Sequence, residues 1–345
     1  MIYFVGKVGS LEHGNTRSAE DVITVLRELG YRVKVLPVFR SNKLWKRAAF
    51  NMVNRLRKYT ADLTIVNGLG GMKIYDDGYA ALGADVLIVR ESPAHFEMKG
   101  EDPQTIVRLT ARFRKIIFVS SIARSKWEAL GLRTSETFYL PNTIRDAVES
   151  KNDDTGLSKQ VGKLVVLIVA SFQYRKAQDV VVDAVLNNEV LRAHYRFVFL
   201  GDLSNDYAQS LVRKSAHCDA LVFLGKRDAP AYFRKADIVL QPSRAEAMSR
   251  VMLEAMKYGK PLICTDIEGS SEAVDSMVNG IVIPPDAPEK MVEALEYLRN
   301  NPAKRQAMAE AARVKFETDF AWEQYKRRWK SFMDDNFTTQ GKPRA

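Results

Sequence analysis

The stretch "SRAEAMSRVMLEAMKYGKP", from Ser243 to Pro261, decides how the chain is read. It follows "ADIVLQP", an apolar run of strand length, and it ends in Gly259-Lys260-Pro261, a helix stop. Helix formers fill most of the interval, so the pattern predicts a buried strand, a loop and a helix. Two glutamates, Glu246 and Glu254, stand with seven residues between them. Glu246 falls on the loop, and Glu254 falls two turns later, inside the helix. Glutamate is a good helix former, and two of them in one helix are ordinarily just solvated. The rest of the chain has to show whether this pair is more than that.

Outward from this stretch, short apolar runs alternate with helical patterns almost everywhere. "KLVVLIVAS", "YRFVFLGD", "ALVFLG", "PLICTD" and "IVIPP" read as strands of the second half. "IYFVG", "RVKVLPV", "ADLTIVNG", "DVLIVRES", "KIIFVSS" and "TFYLPN" read as strands of the first. Continuous apolar strands separated by helices imply parallel sheets covered on both faces. The polar, turn-rich run "IRDAVESKNDDTGLSKQVGK" separates the halves. The expected organisation is α/β: an N-terminal domain over 1–145, a linker over 146–162, a second domain over 163–318, and a tail over 319–345. Both domains read as doubly wound and Rossmann-like. Ligands of such sheets bind beyond the carboxyl ends of the strands, so the expected site is a central cleft that the domains face. The tail, through "FAWEQYKRRWKSFM", reads as helical throughout.

The chain has 345 residues, 46% hydrophobic and 27% charged, which is ordinary globular composition. No run of apolar residues is long enough to span a bilayer, and "MIYFVGKVGS" reads as a first strand, not a signal peptide. Cys218 and Cys264 lie in or beside apolar runs and offer no disulfide or zinc framework. The expected location is cytoplasmic.

The formal net charge is +10, and it is concentrated. No acid occurs between Glu28 and Asp62. At helical pitch, Trp45, Ala48, Ala49, Met52, Val53, Leu56 and Tyr59 form a core stripe, and Lys43, Lys46, Arg47, Arg57 and Lys58 cover the other side. Phe50 falls within that basic side. A basic face is usually only solvated, but one with a central aromatic and no acids suits an interfacial helix. An anionic membrane surface is therefore an expected partner, with peripheral attachment to the inner face of the cell membrane. No nucleic-acid motif is present.

In the second half, chemistry-bearing residues follow successive strand ends. "VVLIVASFQYRKAQDVVVDAV" reads as a strand, a loop and a helix opening near Arg175 and Lys176. Cations beside the free amides of a helix start suit phosphate, although an isolated basic pair is more often solvated. "FVFLGD" and "LVFLGKRD" end strands in glycine, where backbone can approach a flat ligand. "TDIEGSSEAV" supplies Glu272.

Taken in order, these motifs resemble the retaining glycosyltransferases of family 4, which have the two-domain GT-B fold. The resemblance rests on the Glu246/Glu254 pair with "AMKYGKP", on "ASFQYRKAQD", "FLGKRDAPAYFRKADIVLQPS" and "TDIEGSSEAVDSMVNGIVIPPDAPEKMVEAL", and on the "YLPNTIRD" entry to the linker. It implies that the C-terminal helices cross back to the first domain. It implies that Glu254 binds ribose hydroxyls, that Glu246 sits at the transferred sugar, and that Lys176 neutralises the diphosphate. It further places Met248, Ser249, Arg250, Glu272, Gly225 and Lys226 around the donor. The family usually has Gly-Arg where this chain has Ala170-Ser171, and Arg175 stands in as the second cation.

The first half is less informative. "VGSLEHGNTRSAEDV" occupies the place of the family's Gly-Gly loop, with His13 and Gly14 where the glycines would be. Backbone contact with diphosphate or acceptor is one reading of His13, Gly14 and Asn15; plain helix capping by Asn15, Thr16 and Ser18 is the other. "LIVRESPAHF" puts Glu91 and His95 after a strand, and these are the expected catalytic-face residues of this domain. Asp76 and Asp77 read as a turn or cap, not a metal pair.

The expected activity is transfer of a hexose-type sugar from a nucleoside-diphosphate sugar to a glycan or lipid-linked acceptor, with retention, in cell-surface polysaccharide or glycolipid synthesis. No metal or other cofactor is expected. A nucleotide-sugar epimerase of the same fold is the alternative; it would interconvert the donor without transfer. A basic nucleic-acid binder leaves the second-half constellation unexplained.

Overall fold

The computed structural model describes residues 1–6, 14–36, 62–72, 85–132, 136–145 and 162–337. The chain divides into two compact units, Met1–Thr143 with Trp322–Ala345, and Ile144–Ala321.

The first unit contains β1 (Ile2–Val5), β2 (Val33–Leu36), β3 (Leu63–Asn67), β4 (Val86–Val89), β5 (Lys115–Phe118) and β6 (Glu136–Tyr139). They form one parallel sheet in the order β2-β1-β3-β4-β5-β6. The second unit contains β7 (Leu164–Val169), β8 (Tyr195–Leu200), β9 (Leu221–Phe223), β10 (Ile238–Gln241), β11 (Leu262–Thr265) and β12 (Gly280–Ile283). Its parallel order is β12-β11-β10-β7-β8-β9. Strands β1, β3, β4, β10 and β11 are buried at every residue, which is why they read as largely apolar runs, with Thr64, Asn67, Gln241 and Thr265 as their buried polar members.

Each sheet has its own core. In the second unit Val166, Ile168, Phe197, Phe199, Leu240 and Ile263 pack under helices Gln178–Leu186 and Pro288–Asn300. In the first, Val66, Leu87, Ile116 and Phe118 pack with Phe96 and the fully buried Trp127.

The C-terminal stretch from Pro288 to Phe337 is helical, as expected, in consecutive segments. It consists of helices Pro288–Asn300, Pro302–Lys315 and Trp322–Phe337, with a π turn at Phe316–Phe320. Proline at the start of the second helix forces the first break, and extended backbone at Ala321 (φ −62°, ψ 157°) makes the other. The last helix belongs to the first unit. Its Tyr325, Trp329, Phe332 and Met333 form one buried face, with Phe332 4.9 Å from Phe138, edge to face. Trp322 Nε1 donates to Glu28 at 3.0 Å, and Lys326 pairs with Glu28 at 3.1 Å.

The first helix already begins at Gly14 and runs to Glu28. Thr16 and Ser18 therefore lie inside it and are buried. The Ser18 carbonyl accepts from Arg90 Nη2 at 3.2 Å.

Candidate functional site

The order of the second sheet reverses between β7 and β10. Such a reversal opens a crevice beyond the strand ends, because the two following loops turn toward opposite faces. The loop after β7 carries Arg175 and Lys176, and the loop after β10 carries Glu246.

The first of these loops departs from expectation. Arg175 and Lys176 do not open the helix; they lie in a 3-10 turn, Tyr174–Lys176. The chain then passes through Ala177 in the left-handed region (φ 52°), and the helix proper starts at Gln178. The short turn lifts both cations out of the helix and toward the second loop. There Lys176 Nζ and Arg175 Nη1 meet the same atom, Glu246 Oε1, the arginine at 3.0 Å. The Lys176 and Glu246 side chains are 13% and 14% exposed. Burial, and then the adjacent Arg175 cation, drive the Lys176 ammonium well below the usual lysine range, while the Glu246 carboxylate at its tip favours the charged form.

The two loops also exchange arginines. Arg175 Nη1 reaches the Ala245 carbonyl at 3.3 Å. In return, the Arg244 amide donates to the Arg175 carbonyl at 2.8 Å, and Arg244 Nη1 donates to the Tyr174 carbonyl. The Arg244 guanidinium grips Asp179 with two bonds, 2.9 and 2.7 Å, and Asp286 with a third, 2.7 Å. It lies 4.0 Å over the Tyr174 ring. Tyr207 donates to Asp179 at 2.8 Å. Burial would raise the Asp179 carboxyl, but the bonds from Arg244 and Tyr207 outweigh it and hold that group below the usual aspartate range. No local pattern in the sequence marks Arg244, Asp179 or Asp286 as partners.

Two glycines are needed for close approach. A Cβ on Gly269 would stand 2.0 Å from the Ala247 carbonyl oxygen and 2.6 Å from Met248 Cα, so the segment after β11 lies directly on the Glu246 loop. A Cβ on Gly201 would stand 2.0 Å from the Ala170 carbonyl oxygen, so the strand ends of β7 and β8 are equally tight.

The other expected donor residues take these places. Met248 and Ser249 are buried, with Ser249 at the cap position of helix Arg250–Lys257, which Arg250 begins and which contains Glu254. Glu272 lies in the short helix Ser270–Ala273. Gly225 has φ +70°, and its carbonyl accepts from the Gly201 amide at 3.1 Å. Lys226 pairs with Asp202 at 3.1 Å. Hydrogen bonds from Ser204, then Lys226, hold the Asp202 carboxyl down to about 2.

In the first unit, Glu91 follows β4, and its carboxylate accepts from the amides of Leu69 (3.2 Å) and Arg90 (3.1 Å). Burial raises its carboxyl above the usual glutamate range, although those two amides pull the other way. Its carbonyl accepts from Trp127 Nε1 at 2.9 Å. Arg90 is turned inward, bonded to Asn67 Oδ1 at 2.8 Å and to Asn142 Oδ1. His95 lies half-buried in helix Pro93–Glu97, its ring 5.4 Å from Phe96. His13, Asp76, Asp77 and the basic stretch with Lys43, Lys46, Arg47, Phe50, Arg57 and Lys58 lie outside the described residues, as do the side chains of Gly14 and Asn15.

Cys264 is buried, and burial pushes its thiol up to about 12, so it is no nucleophile near neutral pH. Among the described residues, no three His, Cys, Asp or Glu side chains converge where they could hold a metal ion. No helix among them is long and apolar enough to cross a membrane.

Residues 149–315 match the family model described as Glycosyl transferases group 1. A Klebsiella pneumoniae protein, "Uncharacterized 41.2 kDa protein in cps region", is 26% identical over 50% of this chain and 48% of its own length. The chain thus spans about half the length of that relative. The fold matches that of an Anabaena protein, Alr3699/HepE, in complex with UDP and glucose, with TM-score 0.79 and 19% identity over 96% of this chain and 99% of that one. It matches sucrose-phosphate synthase from Thermosynechococcus elongatus with TM-score 0.81 and 15% identity over 98% and 99%. At these identities the likeness establishes the fold: two Rossmann-like domains with parallel sheets, as in GT-B glycosyltransferases.

Proposed function

We propose that the protein is a glycosyltransferase that moves a hexose-type sugar from a nucleoside-diphosphate sugar to a glycan or lipid-linked acceptor, with retention, in cell-surface polysaccharide or glycolipid synthesis. The observation that carries this reading is the convergence of Arg175 and Lys176 on one carboxylate oxygen at the switch point of the second sheet. Two cations that share one oxyanion form an anion site, and Glu246 fills it. A diphosphate arriving there takes over both cations, and the departing diphosphate is then stabilised by charge already in place. Glu246, released from the pair, is free to hold the transferred sugar. Glu254 accepts hydrogen bonds from the ribose hydroxyls. The match to the glycosyltransferase model and the UDP and glucose bound by the Anabaena protein support the donor class. This chemistry asks for no metal, because the protein's own cations meet the developing charge.

A panel of UDP-, GDP-, ADP- and TDP-sugars, assayed for binding, slow hydrolysis and transfer, tests the reading. Lys176→Ala should weaken diphosphate far more than nucleoside, by roughly 1.5–3 kcal/mol for a lost charge-assisted bond. Glu254→Ala should weaken both alike. If no nucleotide-sugar binds, the reading is wrong. The configuration of the product, read by NMR from an α-linked donor, tests retention.

The basic segment from Lys43 to Lys58 supports contact with an anionic membrane, on sequence alone. Binding to anionic vesicles should fall with salt and fall further in Phe50→Ser without loss of thermal stability.

A further inference from the structure

Arg244 is not among the residues that would touch the donor, yet its guanidinium bonds two carboxylates and a carbonyl beside them. Its side chain is 7% exposed. It reaches Asp179 at the start of helix Gln178–Leu186, Asp286 beyond β12, and the Tyr174 carbonyl in the turn after β7. One guanidinium therefore ties together segments that follow β7, β10 and β12. Asp286 sits at φ 52°, in the left-handed region that aspartate tolerates better than most residues, and its carboxylate is held there by Arg244. Tyr174 is 63% exposed, and the guanidinium stacked on its ring provides it with a packing surface.

The consequence concerns Arg175 and Lys176. They occupy a three-residue turn, which has no helix of its own to keep it in place. The Arg244 contacts hold both ends of that turn: the Tyr174 and Arg175 carbonyls at one end, and Asp179 just past the other. A lysine at 244 would offer a point charge where a flat fork now serves two carboxylates and a carbonyl.

We propose that Arg244 is a positioning residue for the donor diphosphate: it fixes the turn carrying Arg175 and Lys176 against the loop carrying Glu246, and so sets phosphate affinity without touching the ligand. The inference rests on the donor reading above.

The test compares the affinities of a diphosphate and its nucleoside in wild type, Arg244→Ala, Arg244→Lys and Asp179→Asn. UDP, GDP, ADP and TDP are titrated against wild type first, and the tightest is carried forward with its nucleoside. The expected result is a loss of tenfold or more in diphosphate affinity in all three variants, with nucleoside affinity unchanged within twofold. Asp179→Asn keeps every cation and removes one acid, so a purely electrostatic role for Arg244 predicts tighter diphosphate binding there. It also carries the test where Arg244→Ala does not fold. Equal losses for nucleoside and diphosphate, an unchanged ratio, or tighter binding in Asp179→Asn would overturn the proposal while leaving the donor reading intact. Failure of wild type to bind any of the four diphosphates removes both.

Discussion

Glu246 Oε1 accepts hydrogen bonds from both Lys176 and Arg175, so one loop carries the counterion for the two cations of the other. Removing the charge of Glu246 leaves two cations close together in a partly dry site. In Glu246→Gln the ligand-free protein should lose about 1–3 kcal/mol of stability, the range for a buried charged group that loses its partner. Millimolar pyrophosphate should restore more of the melting temperature in the variant than it adds to wild type, because the competing carboxylate is gone. Thermal melts with and without pyrophosphate check this. An equal shift in both proteins would mean that the cations do not receive phosphate.

Gly269 and Gly225 make opposite claims. At Gly269 a methyl group collides with Ala247 and Met248 backbone, which cannot yield without moving the Glu246 loop. Gly269→Ala should destabilise by about 1–3 kcal/mol, the range for overpacking, and should lower turnover with it. At Gly225 the nearest atom to a new Cβ is 3.9 Å away, and only φ +70° resists substitution. Gly225→Ala should then lose only about 1–2 kcal/mol, from left-handed strain alone. Urea denaturation of the two variants, with turnover measured beside it, separates crowding from strain.

Asp179 makes stability depend on pH. Its folded carboxyl lies below the unfolded value of 3.8, held there by Arg244 and Tyr207 against burial. The contribution is therefore complete above pH 4 or so and is lost as pH falls through the folded value. Wild type should exceed Asp179→Asn in stability at pH 7, and the gap should narrow steadily as pH is lowered from 4 to 3. Denaturant midpoints across that series measure it; a gap independent of pH would show that Asp179 acts through shape and not through charge.

Glu91 carries the opposite sign. Burial raises its folded carboxyl above 4.5, so its favourable share is present below pH 4.5 and disappears as pH rises through the folded value. Glu91→Gln keeps an acceptor for the Leu69 and Arg90 amides and cannot ionise. Relative to wild type, it should gain stability between pH 4.5 and pH 8. Denaturant unfolding at the two pH values checks it, and a constant difference would remove burial as the cause of the shift.

Much of the architecture was legible from the chain alone, for a physical reason. A strand covered on both faces is nearly all apolar, so parallel strands such as "LVVLIV" and "VLIV" are visible as runs, and the helices between them follow from periodicity. That Glu246 sits on a loop and Glu254 inside a helix was also legible, because the glycine-proline stop and the preceding apolar run bracket the helix from both sides.

What the chain did not reveal is which loops become neighbours. Strand runs carry no label for their place in the sheet, and packing and the handedness of crossovers settle it. Only the order β12-β11-β10-β7-β8-β9 brings the turn at 174–176 beside the loop at 243–249. Contacts between residues 65 to 71 positions apart, such as Arg244 with Asp179 and Arg175 with Glu246, leave no local pattern to read. The same holds for Ala177, whose left-handed backbone moves the start of the helix past both cations. Residue type and spacing determined what each segment is; the pairing of charges across loops was decided by the sheet that brings those loops together.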